Sequence, residues 1–448
     1  MRVIVVGAGE VGYQVAQRLS AEQHDVVVVD VNPERLDYIQ SRLDVAVVEG
    51  SGSSPAVLER AGIKEAELLA AVTNLDEVNL VCCMTARARR NLTRIARISN
   101  PDFYTDGGRL QPELFGVDVM INPERELALE TFRLLQSTAA TDIAVFAGGA
   151  VQLVGLVVTE KAPIAGRKLA EIGAAGQGRP ILTVAIERGG KTVVPTGNSE
   201  IRAGDHVYVV AATAAIPRVL ELCGYEHSEV HRVMIAGGSH EAFYLAQLLR
   251  QHNVQAILIV KDRERAQDLA EKLDRALVLN ADATDVELLE LEGVGGMDAF
   301  VALTERDEIN ILSALLAKQA GAKQVITLLN RVEYVPLARR IGLDTAVSPR
   351  LSAAAAILRY VRRGAVTRVA TLKDIDAEAI GFVVDPGSPV AGRPLAEIRF
   401  PEGCLVAAIV RGEQVIIPRG ADVLRAGDTA IVFALPEAVG SVVKLFNG

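Results

Sequence analysis

Residues 3–6 are an unbroken apolar run, and polarity returns only at Gly7-Ala-Gly-Glu-Val-Gly12. A short apolar run bounded by glycines reads as a strand buried on both faces, whereas Val11, Val15, Ala16 and Leu19 then recur at helical spacing. The same alternation continues down the chain. Apolar runs at 26–29, 45–48, 68–72, 93–98 and 117–121 predict five further strands. Between them, Asn32 caps a helix with Pro33 at its first position, and Ser53-Ser-Pro55 opens another. Asp76 starts a helix expected to run to Ala88, and Asn122-Pro123 starts one more. Strands alternating with helices at this rhythm specify a parallel, doubly wound sheet.

From about Thr141 the rhythm changes. Runs at 154–158, 181–186, 191–194 and 207–210 predict strands, with a hairpin turn at Arg188-Gly-Gly190, a turn at Ala203-Gly-Asp205 and a short helix over 216–222. This is a small α+β module, too small to hold a deep catalytic cleft. The pattern then restarts. Arg232-Val-Met-Ile-Ala-Gly-Gly-Ser-His-Glu-Ala242 matches Arg2 to Gly12, and Ala299 to Asn310 matches Leu68 to Asn79. The small module returns as well: Pro389-Val-Ala-Gly-Arg-Pro-Leu-Ala-Glu-Ile398 matches Pro163-Ile-Ala-Gly-Arg-Lys-Leu-Ala-Glu-Ile172, and Ala426-Gly-Asp428 matches Ala203-Gly-Asp205. The fold class is therefore α/β, with tandem Rossmann-like doubly wound parallel sheets, each followed by a small α+β domain. The expected limits are 1–139, 140–225, 226–364 and 365–448.

Composition narrows the partners. The 448 residues carry a formal net charge of −9, which argues against nucleic acid, because phosphate-backbone binding needs clustered Lys and Arg. The four cysteines form no C-x-x-C pair, and the six histidines show no metal spacing. No metal site is expected. The chain begins directly in a strand without a signal segment, and no apolar run approaches the ~20 residues of a membrane helix. A soluble, cytoplasmic protein is the expectation.

The first loop carries the chemistry. Gly7, Gly9 and Gly12 stand at G-x-G-x-x-G spacing between a strand and a helix, the context that makes this motif a dinucleotide fingerprint. Gly7 permits the tight turn, Gly9 lets backbone approach a pyrophosphate, and Gly12 lets helix and strand pack closely. Ala8, Glu10 and Val11 lend backbone around them, and the helix N-terminus offers unpaired N–H groups to phosphate. Asp30 ends the second strand, where a carboxylate suits a ribose diol and repels a 2′-phosphate. Thr73 and Asn74 end the fourth strand beside the switch point, with helix capping as their alternative role. Arg97 ends the fifth, where a guanidinium either holds phosphate or pairs with a nearby acid. Gly50 to Ser54 border the expected adenine position. The second copy departs at five of these positions: Gly9 becomes Ser239, Gly12 Ala242, Asp30 Val260, Asn74 Glu305 and Arg97 Leu328. One dinucleotide per chain, in the first half, is the expectation. Lys261 of the second half reads as a solvated strand-end lysine. No nucleophile–base set or acid–base pair is evident, so no catalytic residue is assigned. An NAD-dependent dehydrogenase and a free-standing nucleotide sensor are the rival readings.

The chain resembles the TrkA family of Trk potassium-uptake regulatory proteins over essentially its whole length. The resemblance rests on Gly-Ala-Gly-Glu-Val-Gly12, Val29-Asp30, Ala71-Val-Thr-Asn-Leu-Asp-Glu-Val-Asn79, Arg94-Ile-Ala-Arg-Ile98, the doubled Pro-x-x-Gly-Arg-x-Leu-Ala-Glu-Ile and the paired Ala-Gly-Asp turns. It implies two RCK units per chain, each a Rossmann RCK-N domain followed by a small RCK-C domain. It also implies a non-enzymatic regulatory subunit that assembles as a ring, expected to be a homotetramer, on the cytoplasmic face of a Trk-type potassium-transporting membrane subunit. By position it implies NAD or NADH contacts at Gly7 through Val11, Asp30, Thr73, Asn74 and Arg97, with ATP or ADP as alternative ligands. The second loop, Gly237-Gly-Ser-His-Glu-Ala242, departs from the glycines that many relatives keep there.

Overall fold

The computed structural model describes residues 1–89, 91–100, 103, 112–136, 140–174, 181–225, 230–361, 366–372, 375, 377–412 and 414–447. The first unit runs β1 (Arg2–Val6), α1 (Glu10–Ala21), β2 (Asp25–Asp30), α2 (Pro33–Gln40), β3 (Ala46–Glu49), α3 (Pro55–Arg60), β4 (Leu68–Ala71), α4 (Asp76–Thr85), β5 (Thr93–Arg97), β6 (Val119–Ile121) and α5 (Pro123–Leu135). Its six strands are parallel in the order β3-β2-β1-β4-β5-β6. The order reverses between β1 and β4, which opens a crevice at their carboxyl ends. The central strands β1, β2 and β4 are buried on both faces, so they are near-continuous runs of Val, Ile, Leu and Ala rather than alternating.

The second unit comprises β7 (Asp142–Phe146), β8 (Val151–Val157), α6 (Leu169–Ala174), β9 (Ile181–Arg188), β10 (Lys191–Val193), β11 (His206–Ala212) and α7 (Ile216–Leu222). Its strands are antiparallel in the order β10-β9-β11-β8-β7. Gly189 and Gly190 both adopt positive φ, +60° and +80°, as a two-residue hairpin turn of matching twist requires. β7 is a strand the sequence reading did not include, although Ile143 to Ala147 is an apolar run; it lies at the sheet edge and its residues alternate in burial.

Both units recur. β12 (Arg232–Ala236), α8 (His240–Gln251), β13 (Gln255–Val260), α9 (Arg263–Lys272), β14 (Leu277–Asn280), α10 (Val286–Leu291), β15 (Ala299–Ala302), α11 (Asp307–Gln319), β16 (Val325–Leu328), β17 (Thr345–Val347) and α12 (Pro349–Val361) repeat the Rossmann unit, in the order β14-β13-β12-β15-β16-β17. β18 (Val366–Leu372), β19 (Ala377–Val383), β20 (Cys404–Arg411), β21 (Gln414–Ile416), β22 (Thr429–Ala434) and α13 (Pro436–Asn447) repeat the small one.

The halves exchange helices. α5, which ends the first Rossmann unit, lays Leu127, Ala128, Phe132 and Leu135 into one core with Leu245 and Leu249 of α8. α12, which ends the second, lays Ala353, Ala354 and Ile357 against Val15 and Leu19 of α1. Each sheet is thus closed by a helix belonging to the other unit. The small sheets also share a core, in which Phe146, Leu153 and Val210 meet Ala379, Ala408 and Phe433. Among the described residues no helix is long and apolar enough to cross a membrane.

Candidate functional site

The cradle forms where β1 turns into α1. Gly7 takes a φ of +112°, and a Cβ there would meet the backbone of Val72 and Thr73 at 3.0–3.1 Å. The turn therefore lies tight against the end of β4. A Cβ on Gly12 would fall 1.8 Å from the Gly7 carbonyl oxygen, so the helix closes on the strand only with glycine there. Gly9 differs from both. A Cβ at Gly9 would meet nothing within 4 Å, which makes this position the open floor of the crevice. Gly9 is also the N-cap of α1 and offers no capping side chain. The helix therefore presents its first-turn N–H groups to the crevice. Asp30, buried at the end of β2, accepts hydrogen bonds from the Ala8 N–H (2.6 Å) and the Asn32 N–H (2.8 Å). Its carboxylate braces the loop from below while standing at the ribose position of such folds.

The second loop has the same backbone course and a different surface. Gly237 keeps the positive φ, +117°. Ser239 caps α8 with its own side chain, its Oγ accepting from the Ala242 N–H at 3.3 Å. Arg265 lies across the loop and donates from Nε to the Gly238 carbonyl at 2.6 Å. A Cβ on Gly238 would meet Val260, Arg265 and Leu269 at 2.9–3.2 Å. Lys261 is committed to Asp282 at 2.7 Å. That pair, with the Thr284 backbone and hydroxyl, holds the Asp282 carboxyl down to about 2.

The switch point is pinned by an asparagine. Asn79, fully buried on α4, accepts from the Thr73 N–H (3.0 Å) and hydroxyl (2.8 Å), and its amide donates to the carbonyls of Thr73 (3.0 Å) and Arg97 (2.8 Å). The ends of β4 and β5 are thereby locked to one helix. The same set recurs around Asn310, with Thr304 and Leu328 as partners. Thr73 serves this lock, and the N-cap of α4 is Leu75. Asn74 stands exposed at the crevice rim, and Arg97 is half-buried. Arg97 lies close enough to Glu124 to favour its ionised form, against burial and the nearby Glu241, which together raise that carboxyl.

Comparison with known proteins fits this geometry. The TrkA-N domain model matches residues 3–123 and 233–349, and the TrkA-C domain model matches 153–224 and 380–447. The chain is 38% identical to the Trk system potassium uptake protein TrkA homolog 2 of Methanosarcina mazei over 100% of both chains. It is also 38% identical to the Trk system potassium uptake protein TrkA of Azorhizobium caulinodans, over 100% of this chain and 99% of that one. The chain belongs to the TrkA family. Among solved structures, the GsuK RCK domain aligns with a TM-score of 0.60 at 19% identity, covering 99% of this chain and 94% of that one. The GsuK channel bound to NAD aligns with the same score at 20% identity, covering 99% and 78%. At that identity the likeness establishes the tandem RCK fold.

Three residues near the crevice had no assigned role from sequence. Asn79 recurs as Asn310 in the duplicated segment, and that recurrence was the signal available. Asp76 accepts from the Ser99 N–H (3.0 Å) and Asn100 N–H (2.8 Å), fixing the loop after β5. Arg350, in the first turn of α12, reaches Glu10 of the first cradle at 2.9 Å; it lies 340 residues away in sequence, and only the helix exchange brings it there. Burial pushes the thiols of Cys83 and Cys223 up to about 12 and that of Cys404 to about 11, which favours their protonated form at neutral pH. Among the described residues, no three His, Cys, Asp or Glu side chains are grouped to hold a metal ion.

Proposed function

We propose that this chain is the cytosolic gating-ring subunit of a Trk-type potassium uptake system, with NAD or NADH as a switch ligand in the first Rossmann unit. The observation that carries the nucleotide assignment is the open, uncapped cradle at Gly9 above Asp30, set against its side-chain-filled counterpart at Ser239 and Arg265. Gly7 and Ala8 would shape the turn, their own N–H groups being held by Val29 and Asp30, while Gly9, Glu10, Val11 and Gly12 would hold the pyrophosphate by backbone N–H groups and the helix dipole. Asp30 would take the ribose diol, while Thr73, Asn74 and Arg97 would flank the phosphate and nicotinamide side. The family's name supports the potassium-transporting membrane partner and, through it, a peripheral position on the inner face of the membrane. The domain limits proposed with this reading are 139/140, 225/226 and 364/365.

In this role the nucleotide is not consumed. Its binding must differ in free energy between two shapes of the assembly, or it shifts nothing. Carrying a gate from mostly shut to mostly open takes roughly 10⁴-fold differential affinity. Shared over four sites of a tetrameric ring, that is about tenfold each, or ~1.4 kcal/mol, within reach of one or two hydrogen bonds. Calorimetry of wild type and Gly9→Ser with NAD, NADH, ATP and ADP tests the reading. Wild type should take up about one nucleotide per chain, and Gly9→Ser should lose it. Incubation with NAD and candidate alcohols or hydroxy acids should give no rise in NADH absorbance, and sustained turnover would instead favour a dehydrogenase.

A further inference from the structure

We propose that Arg350, carried by the second half on the exchanged helix α12, is a phosphate-binding residue of the first nucleotide site, held by Glu10 when no nucleotide is bound. This rests on the reading of the Gly7–Gly12 loop as that site. Glu10 directly follows the open position Gly9 and is the first residue of α1. Arg350 Nη1 donates to Glu10 Oε2 at 2.9 Å, so its guanidinium stands one side chain from the cradle. It is delivered there by a rigid element, because Ala353 and Ile357 of the same helix are buried against Val15 and Leu19 of α1.

The charges of the halves follow the state of their loops. Pro123 and Pro349 open the two exchanged helices, so Arg350 corresponds to Glu124. Glu124 is near enough to Glu241, in the first turn of α8, to feel its charge. The open loop therefore receives an arginine from the other half, and the filled loop receives a carboxylate. An acid at position 10 facing a diphosphate would by itself weaken binding; Arg350 offsets it. The Glu10 and Arg350 side chains are 38% and 36% exposed, and an ion pair this open to water holds weakly. A phosphate offers the same guanidinium a bidentate, charge-assisted partner. Exchange of Glu10 for phosphate would draw α12 toward the cradle. α1 is also tied at its far end, where Arg18 Nε donates to the buried Glu378 of β19 at 2.7 Å. The helix that presents the cradle is thus joined to the second half near both ends.

The test is calorimetry on full-length wild type, Arg350→Gln and Glu10→Gln with NAD, ADP-ribose and adenosine. Arg350→Gln should weaken NAD and ADP-ribose by about tenfold or more, the loss expected for one charged hydrogen-bonding partner, and leave adenosine within about twofold. Glu10→Gln should tighten NAD several-fold. Both substitutions break the same ion pair. If the pair only fastens the helices, both variants weaken binding and adenosine suffers equally, which overturns the proposal. Equal NAD affinity in wild type and Arg350→Gln overturns it as well. Wild type that binds none of the three ligands overturns the nucleotide reading itself, and this proposal with it.

Discussion

Two residues of the first crevice do different work, and their substitutions separate that work. Asp30 braces the loop through Ala8 and Asn32 and, in the proposed site, would face the ribose. Asp30→Ala should reduce NAD affinity at least tenfold, whereas Val260→Ala, its counterpart, should leave titration by NAD unchanged; calorimetry reads both. Asn79 is a lock. Its loss would orphan the Thr73 N–H and the carbonyls of Thr73 and Arg97 at a fully buried position. Each unsatisfied buried group costs about 1–3 kcal/mol, so Asn79→Ala should destabilise by about 3 kcal/mol or more in urea melts. Asn310→Ala should cost a similar amount, because the same bonds recur there. The glycines and Asp30 stood out in the sequence because fixed backbone geometry leaves few residue choices. Asn79 did not, because an asparagine within a helical run looks like any polar surface position until its partners are seen.

At the scale of elements, the alternation of apolar runs and helical spacing located nearly all the strands and helices of the first half. It passed over β7, an edge strand, although Ile143 to Ala147 is apolar throughout. Apolar periodicity says that α5 and α12 bury a face, but nothing local says against which sheet. Their exchange follows from packing alone. Ile357 of α12 is fully buried in the core of the opposite half. Ile357→Ala should therefore destabilise the first Rossmann unit by about 2–5 kcal/mol, and amide exchange should show the loosening in α1 as well as in α12. In the small domains the repeated Ala-Gly-Asp turn has a structural purpose. Asp428 is paired through both oxygens to Arg411, at 2.7–2.8 Å, and accepts from the Arg425 N–H. Burial alone would raise that carboxyl; the bonds from Arg411 and Arg425 outweigh it and hold it below its ordinary value. A depressed folded value means the stabilisation is complete above the unfolded pKa, near 4, and is lost as the pH falls through the folded one. Acid titration of stability should show this loss in wild type and a shallower loss in Asp428→Asn.

At the scale of the whole molecule, the duplication was legible because both copies kept the first loop glycine (Gly7 and Gly237), a proline-started last Rossmann helix (Pro123 and Pro349) and the Ala-Gly-Asp turns. The proposed ring rests on the family resemblance alone, since a ring contact leaves no periodic trace of its own. The structure narrows where such a contact would lie. On α4 and α11, Leu80 is buried in its own core and Ile311 packs against its own core. Val81 of α4 and Leu312 of α11, which hold equivalent positions in the two halves, are 43% and 47% exposed. Met84, one turn beyond Val81, is 46% exposed. Val81 and Met84 thus put apolar surface on the outer face of α4, and Leu312 repeats the first of them on α11, outside the cores of one chain. Taken as the seam between neighbouring chains, it gives a prediction that separates assembly from folding. If the proposed ring joins along this face, Val81→Glu, alone or with Leu312→Glu, should give smaller species than wild type in sedimentation equilibrium. The urea midpoint of the dissociated chain should change little, because neither side chain belongs to a core. A ring that survives both charges would move the seam to another face. A loss of fold would show that these side chains are held more tightly than their exposure indicates.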